Sequence, residues 1–372
     1  MTGGLRRDPA HTWHPAVCHV AACLLGVSLK SMSENEIMGE GDERMDRSAN
    51  RLTIPDPSAL PSGLRHWLRR RGWRVTGAAP IIGGYAASLF KLRVEDADGL
   101  ARNAVYKRFA KGREQEALLY GRVFAGIPDL VPQVLGHIKE GDEAGILMAY
   151  AGETVKTTLK RLQPAERTRL LMDAVLRLAD MHIQFEACLA GLIERGLLSR
   201  YPLQSSISWA HFSLGMLKMM DSVEEKRIET MSDWFYPRYE KWLHGRITLT
   251  HGDPHLENIL ISGGGFRLID WEASCAAVPQ RDLAVFLQDV LDGGQHAALR
   301  ETYLERLRSA GWNVNHPEFN HSFEAVFFDN TLMMLGWEIY KYREGHLAFE
   351  EISAILRTKI GWMEKSFLRL YD

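Results

Sequence analysis

The segment Leu249–Trp271, LTHGDPHLENILISGGGFRLIDW, sets a carboxylate (Asp253), a carboxamide (Asn258) and a second carboxylate (Asp270) among short apolar runs. Phosphoryl transfer requires that set. One carboxylate takes or orients the proton of an attacking hydroxyl, while a carboxamide and a second carboxylate hold the magnesium that neutralises nucleotide phosphates. Asp253 and Asn258 are five positions apart, too close to serve independent sites. Asp270 follows a strand pair turning at Gly263–Gly265, which returns it beside them. Like charges brought together in a cleft need a cation, and a divalent metal meets that need. A polar turn between core strands would have little use for two carboxylates and an Asn.

Neighbouring patterns are weaker. His251 and His255 have the i,i+4 spacing of a zinc pair, but Pro254 between them disfavours a helix. His251 is predicted instead to hydrogen-bond the loop backbone. Gly263–Gly265 has no helix after it and reads as a hairpin tip, not a phosphate cradle. Gly83 and Gly84 also lie between two strands, where a backbone hairpin can fold over phosphates. Lys107 follows on the next strand, in AVYKRF. A lysine pointing inward from a strand needs an anionic partner, which nucleotide phosphates supply. Glu114, opening the next helix, is predicted to hold the ammonium, with Glu116 facing elsewhere. Asp282 opens a later helix, where the dipole favours a carboxylate, and is placed to brace the loop.

The elements that must position these groups follow from periodicity. SALPSGLRHWLRRRGW reads as a helix ending at Gly72, its basic face solvated and Trp67 and Leu68 turned inward. RVTGAAPIIGG, SLFKLRVE and NAVYKRF read as strands, REQEALLYGRVFAG as a helix, and VPQVLGHIK and AGILMAYA as two further strands. Sequence beyond about 160 is mainly helical, interrupted by the Asn258–Ser262 and Phe266–Ile269 strand pair. The chain is therefore expected to be α+β and bilobal: a small β-rich lobe over 48–150 and a larger, mainly helical lobe over 151–372, with a cleft at Met148–Gly152. Residues 1–47 lack either period and are expected to form a poorly ordered extension.

Bulk properties exclude several classes. With 372 residues, 46% hydrophobic and 25% charged, the chain is an ordinary globular composition, and a net charge of −2 gives no reason to expect nucleic acid. Cys18, Cys23, Cys188 and Cys275 lack metal-ligand spacing and suit a reducing cytosol. The apolar run Ala16–Leu29 is short for a membrane span, so a cytoplasmic protein without membrane partners is expected.

Taken together, the motifs resemble the aminoglycoside phosphotransferase and choline kinase superfamily, which has the protein-kinase-like fold. HGDPHLENILI resembles its catalytic loop, LIDWE its metal-binding segment, LADMH its upstream helix end, GREQEALLY its glutamate helix and ILMAYAGE its connector. GGYAAS, ending at Ser88, is a loose version of the nucleotide loop. The resemblance implies Asp253 as base and Asn258 and Asp270 as Mg2+ ligands. It implies Gly83, Gly84, Ser88, Lys107 and Glu114 around the ATP phosphates, and the backbone of Ala149 and Ala151 at adenine.

The expected partner is a small-molecule hydroxyl acceptor. A protein kinase shares the Lys and Asp core, but no D-F-G…A-P-E segment follows Asp270. A catalytically silent binding module of the same fold would not need every catalytic position filled, as here. The acceptor pocket is expected between the helices of 186–245 and the C-terminal helices, near Trp209, Trp234, Tyr236, Tyr239, Trp242, Trp337 and Tyr340. Lys218, Lys226, Arg227 and Arg238 offset the carboxylates there. A neutral or singly cationic hydroxyl metabolite is therefore expected ahead of an aminoglycoside.

Overall fold

The structure, a computed structural model, describes residues 59–81, 87–220, 224–263 and 265–371. The extension expected over 1–47 and the glycine pair Gly83 and Gly84 lie outside them.

Five strands, Arg74–Ile81 (β1), Ala87–Glu95 (β2), Ala101–Phe109 (β3), Val134–Glu140 (β4) and Glu143–Ala149 (β5), form an antiparallel sheet in the order β1-β2-β3-β5-β4. Alternation along β3 and β5 assigns two faces. Ala104, Tyr106 and Leu147 join Leu92 and Val94 in a small core. The first helix, Ser62–Arg70 (α1), closes that core with Leu64 and Leu68. Helix α1 has no side-chain cap of its own at Pro61. Glu143 of β5 serves instead, accepting from the Gly63 and Leu64 amides at 2.9 and 3.0 Å and from the Tyr106 hydroxyl at 2.9 Å.

The opposite face carries Phe109, Ile146 and Met148 into the main core of the molecule. Lys107, opposite Ile146 in register, points the same way. The helix after β3, Gln115–Arg122 (α2), sends Leu119 and Tyr120 into that core, followed by Phe124. The Phe124 ring lies 4.2 Å from that of Trp271 and 6.0 Å from that of Phe185.

The larger part is helical: Val155–Leu159 (α3), Pro164–Glu186 (α4), Leu189–Glu194 (α5), Leu203–Met219 (α6), Glu225–Trp242 (α7), Gln280–Asp289 (α8), His296–Ser309 (α9), His316–Arg343 (α10) and Phe349–Tyr371 (α11). Helix α10 is buried around most of its circumference, packed by α6, α8 and α11. Two small sheets interrupt the helices. Thr248–Thr250 (β7) pairs with Cys275–Ala277 (β10), and Ile259–Ser262 (β8) lies between Glu153–Thr154 (β6) and Gly265–Leu268 (β9). The connector is thus stitched to the hairpin of the sequence motif. Gly152 allows this contact: its φ is +104°, and a Cβ there would sit 1.9 Å from the Ile261 carbonyl oxygen. The fold is α+β and protein-kinase-like, as expected. Among the described residues no helix is long and apolar enough to cross a membrane.

Candidate active site

Residues 251–258, the candidate catalytic loop, follow β7 directly, and the backbone at their start is fixed by one carboxylate. Asp282, fully buried at the start of α8, accepts from the His251 amide at 2.7 Å and the Gly252 amide at 2.8 Å. His182, also fully buried, meets it at 2.9 Å through Nε2 and meets the Tyr303 hydroxyl at 2.6 Å through Nδ1. Burial alone would push the Asp282 carboxyl up, but the His182 hydrogen bond and charge, with His251 and the Gly252 amide, hold it below the usual range. Gly252 has φ +87°, and a Cβ there would lie 2.1 Å from the Ala273 carbonyl oxygen. No other residue type fits this crossing.

His251 does what its position predicted. Its Nε2 lies 2.8 Å from the Ile269 carbonyl and so carries the proton, while Nδ1 accepts from the Asp253 amide at 3.3 Å. Its ring lies 4.5 Å from the buried Trp271 ring. Burial holds the imidazole below its ordinary pKa, against the pull of Asp282 and Asp253. This neutral His ties the Asp253 loop to the strand leading into Asp270. Asn258 adds a second tie: its Nδ2 donates to the Asp253 carbonyl at 2.9 Å, and its own carbonyl accepts from Ile269 at 3.0 Å. That bond uses the carboxamide nitrogen and leaves its oxygen as an acceptor.

Asp270 has φ +66° and ψ +62°, the one non-glycine with positive φ among the described residues. Left-handed backbone costs a non-glycine residue about 1–2 kcal/mol, although Asp tolerates it better than most. It turns the carboxylate toward Lys107, whose Nζ lies 2.8 Å from Asp270 Oδ1. Burial would raise the Asp270 pKa, but Lys107 outweighs it and the net direction is down.

Here the structure corrects the sequence reading. Lys107 pairs with Glu116, not Glu114: Nζ lies 2.5 Å from Glu116 Oε2, with side chains 8% and 0% exposed. Helix α2 begins at Gln115, which leaves Glu114 as the residue before the helix, bonded only locally to the Gly112 amide at 3.2 Å. Glu116 shares its face with Leu119 and Tyr120, the i+3 and i+4 positions that anchor α2 in the core. That periodicity was the available signal. The other oxygen of Glu116 accepts from the Trp271 amide at 3.3 Å.

Burial, opposed by Lys107 but aided by the Asp270 charge, pushes the Glu116 carboxyl up to about 7. Burial lowers Lys107, but Glu116 and Asp270 outweigh it and its pKa rises. Asp253 sits 3.6 Å from His255 Nε2, with its side chain 49% exposed to the cleft. Surrounding protein raises its pKa, against His255 and His251, and Asp270 adds to the rise.

The remaining sequence candidates are placed as follows. Ser88 is exposed on β2, opposite Arg108 in register, and Gly83 and Gly84 lie outside the described residues. The Ala149 amide is taken by the Gln133 carbonyl at 2.8 Å, and Ala151 lies in the connector between β5 and β6. Sequence reasoning missed the Arg113–Glu272 pair at 2.5 Å, whose carboxylate is near enough to feel the charge of Asp270.

The donor set fits magnesium. Among the described residues no group of three or more His, Cys, Asp or Glu could hold a metal alone. Magnesium needs only one or two protein ligands when phosphates and water supply the rest. Asp270, with its side chain 46% exposed, and the carboxamide of Asn258 meet that requirement.

Comparison with solved structures agrees with this fold. A choline/ethanolamine kinase family protein from Mesorhizobium loti superposes with a TM-score of 0.53 at 15% identity, covering 84% of this chain and 96% of that one. A macrolide 2'-phosphotransferase type I gives 0.52 at 18%, covering 79% and 94%. Amicoumacin kinase, solved with AMP-PNP and Ca2+, gives 0.53 at 13%, covering 78% and 88%. At such identities the likeness is one of fold. No curated protein matches the chain. Residues 79–316, more than half of the sequence and the span that holds Lys107, Glu116, Asp253, Asn258 and Asp270, match the phosphotransferase enzyme family, and the chain belongs to that family.

Proposed function

We propose that the protein is an ATP- and Mg2+-dependent kinase that moves the γ-phosphoryl group to a hydroxyl of a small molecule. The observation that carries this reading is the Lys107–Glu116–Asp270 cluster, whose Asp270 acts electrostatically on Asp253 on its clamped loop. AMP-PNP and Ca2+ in the amicoumacin kinase structure are consistent with a nucleotide and a divalent cation at this fold's cleft.

In this mechanism Lys107 contacts the nucleotide phosphates, and Glu116 keeps the ammonium ionised and aimed. Asp270 and Asn258 would hold Mg2+, which neutralises phosphate charge when bound. Asp253 accepts the proton of the acceptor hydroxyl, and the raised pKa of its carboxyl makes it a better base than an ordinary aspartate. The rigid mounting of Asp253 supplies orientation: its loop is fixed through the Asp282 contacts and the His251 and Asn258 ties.

The experiment is ADP release from ATP with Mg2+, with and without a library of small hydroxyl compounds. Acceptor-stimulated turnover that stops with EDTA is expected. ATP binding with no stimulation by any acceptor, peptide substrates included, would favour a silent module, and phosphorylation of peptides alone would favour a protein kinase.

A further inference from the structure

Asp282 holds only the start of the candidate catalytic loop, at the His251 and Gly252 amides. The far end of the loop, where Asn258 sits, is held by a second carboxylate on the same helix. Asp289 closes α8 seven residues after Asp282 opens it, two turns and about 10 Å along the axis, so the two positions share one face. Asp289 Oδ2 accepts from the Leu256 amide at 3.0 Å. Its Oδ1 lies 3.7 Å from Lys156 Nζ on α3, and the same ammonium lies 3.1 Å from Glu257 Oε1. The Lys156 amide in turn donates to the Leu256 carbonyl at 3.1 Å. Both polar groups of the Leu256 backbone are therefore fixed.

A carboxylate in the last turn of a helix is set against the helix dipole, which favours cations there. The hydrogen bond and ion pair that offset this cost at Asp289 reach the loop and α3. The helix end itself is braced by another group. Lys359 of α11, buried, donates to the Gln288 carbonyl at 3.3 Å and to the Gln288 carboxamide oxygen at 3.0 Å. Burial lowers the pKa of Lys156, but Asp289 and Glu257 outweigh it and the net direction is up, so the ammonium stays charged between them. The residues that follow transmit the grip. The Asn258 amide donates to the His255 carbonyl at 2.8 Å, closing a turn around Leu256 and Glu257. The Asn258 carboxamide nitrogen donates to the Asp253 carbonyl at 2.9 Å. A displacement of Leu256 is therefore carried into the side chain of Asn258.

We propose that Asp289, with Lys156, is a positioning residue that sets Asn258 as a magnesium ligand. It acts through Leu256 and Glu257, the two residues before Asn258. This rests on the kinase reading, in which Asn258 holds Mg2+, and adds to it a residue with no part in that reading. One helix then mounts the loop at two points with two tasks: Asp282 steadies the base Asp253, and Asp289 steadies the metal ligand.

The test reads metal binding first and does not need turnover. Mn2+, a paramagnetic substitute for Mg2+, is titrated into the protein with ADP, and the free ion is followed by electron paramagnetic resonance. Asp289→Ala is expected to weaken Mn2+ binding about 5- to 30-fold, because the Leu256 amide loses its acceptor while Lys156 still holds the carbonyl, and to leave metal-free ADP binding within about threefold. Asp289→Asn, whose carboxamide oxygen can still accept from Leu256, should recover most of the loss. A residue that only supported the fold would lower the urea-unfolding free energy and leave the ratio of the two affinities unchanged. A loss of Mn2+ binding below about threefold in Asp289→Ala, or an equal loss of metal-free ADP binding, overturns the proposal. If Asp289→Ala does not fold, Lys156→Met takes its place: about threefold weaker Mn2+ binding is expected, and unchanged binding overturns the proposal. No Mn2+ binding by wild type overturns Asn258 as a ligand and the proposal with it.

The second arm is kinetic. With a productive acceptor, the Mg2+ concentration for half-maximal ADP release should rise in Asp289→Ala by the factor seen for Mn2+. Excess Mg2+ should restore kcat, with the acceptor KM within about threefold of wild type. A kcat that excess Mg2+ does not restore overturns the proposal. Weaker Mn2+ binding in Asp289→Ala, with no acceptor stimulating ADP release by wild type, would overturn the kinase reading and leave the positioning role standing.

Discussion

Exchanging Glu116 for Gln removes one charge from the centre of the cleft and leaves its shape intact. The pair it breaks is buried, 8% and 0% exposed by side chain. Removing one partner of such a pair typically costs about 3–5 kcal/mol. Two contacts soften the loss here. Asp270 Oδ1 remains 2.8 Å from the ammonium, and a Gln oxygen can still accept from the Trp271 amide. About half the usual cost is expected, roughly 1.5–2.5 kcal/mol, or about 10- to 70-fold in kcat/KM for ATP. Glu114→Gln touches only the bond to Gly112 and is expected to stay within about 0.5 kcal/mol, near twofold. Both variants are compared by ADP release across ATP concentrations at fixed acceptor. A double variant of Glu116→Gln with Lys107→Met should fall well short of additive, because the two residues act as one unit. The reasoning is refuted if Glu114→Gln is the more damaged variant, or if Glu116→Gln and Lys107→Met simply add.

Three further outcomes are expected. Asp253→Asn should lower kcat by about 100- to 10,000-fold while nucleotide affinity, followed by calorimetry, changes by less than about threefold; turnover near wild type would remove Asp253 as the base. Asp282→Ala should lower the urea-unfolding free energy by about 3–5 kcal/mol, since three buried donors lose their acceptor together; a change below about 1 kcal/mol would mean that the loop is held otherwise. The free protein should also show an acid limb in kcat/KM near pH 7, set by Glu116. The carboxylate holds Lys107 only when ionised, so activity rises with pH through this range, and Glu116→Gln should abolish the limb. Because this folded-state pKa is raised, the native chain holds the proton more tightly than the unfolded one. Its stability contribution is full below the unfolded value and declines as pH rises toward 7.

The candidate loop around Asp253 was legible because its polar groups are local. HGDPHLEN and IDW each place their polar groups within a few residues, and Pro254 alone was enough to dismiss the zinc spacing of His251 and His255. The strands of the sheet were readable from alternation, which also turned Lys107 inward, whereas their order was not read. The choice between Glu114 and Glu116 failed on a boundary of two residues. A helix start at Arg113 puts Glu114 in the first turn, whereas the real start at Gln115 puts Glu116 on the face of Leu119 and Tyr120. The surroundings of the buried Asp329 on α10 were illegible for another reason. Whether a buried charge is paired depends on hydroxyls contributed by Ser206, Tyr236 and Tyr239, from helices far apart in sequence. Several of the aromatics weighed as pocket walls pack on one another, Trp234 against Trp242 at 5.5 Å and Trp337 against Tyr340 at 5.4 Å.

The anchoring of α2 bears on how such an enzyme could be governed. In kinases that are turned on and off, the glutamate-bearing helix swings outward and takes its half of the ion pair with it. Here Tyr120 and Phe124 hold that helix to Trp271 and Phe185 in the body of the molecule. Withdrawing two fully buried aromatics would cost roughly 3–6 kcal/mol in lost burial alone, which leaves the outward state at about 1% or less. The resting protein therefore keeps the helix of Glu116 inward, with its half of the Lys107 ion pair already in place before any ligand arrives.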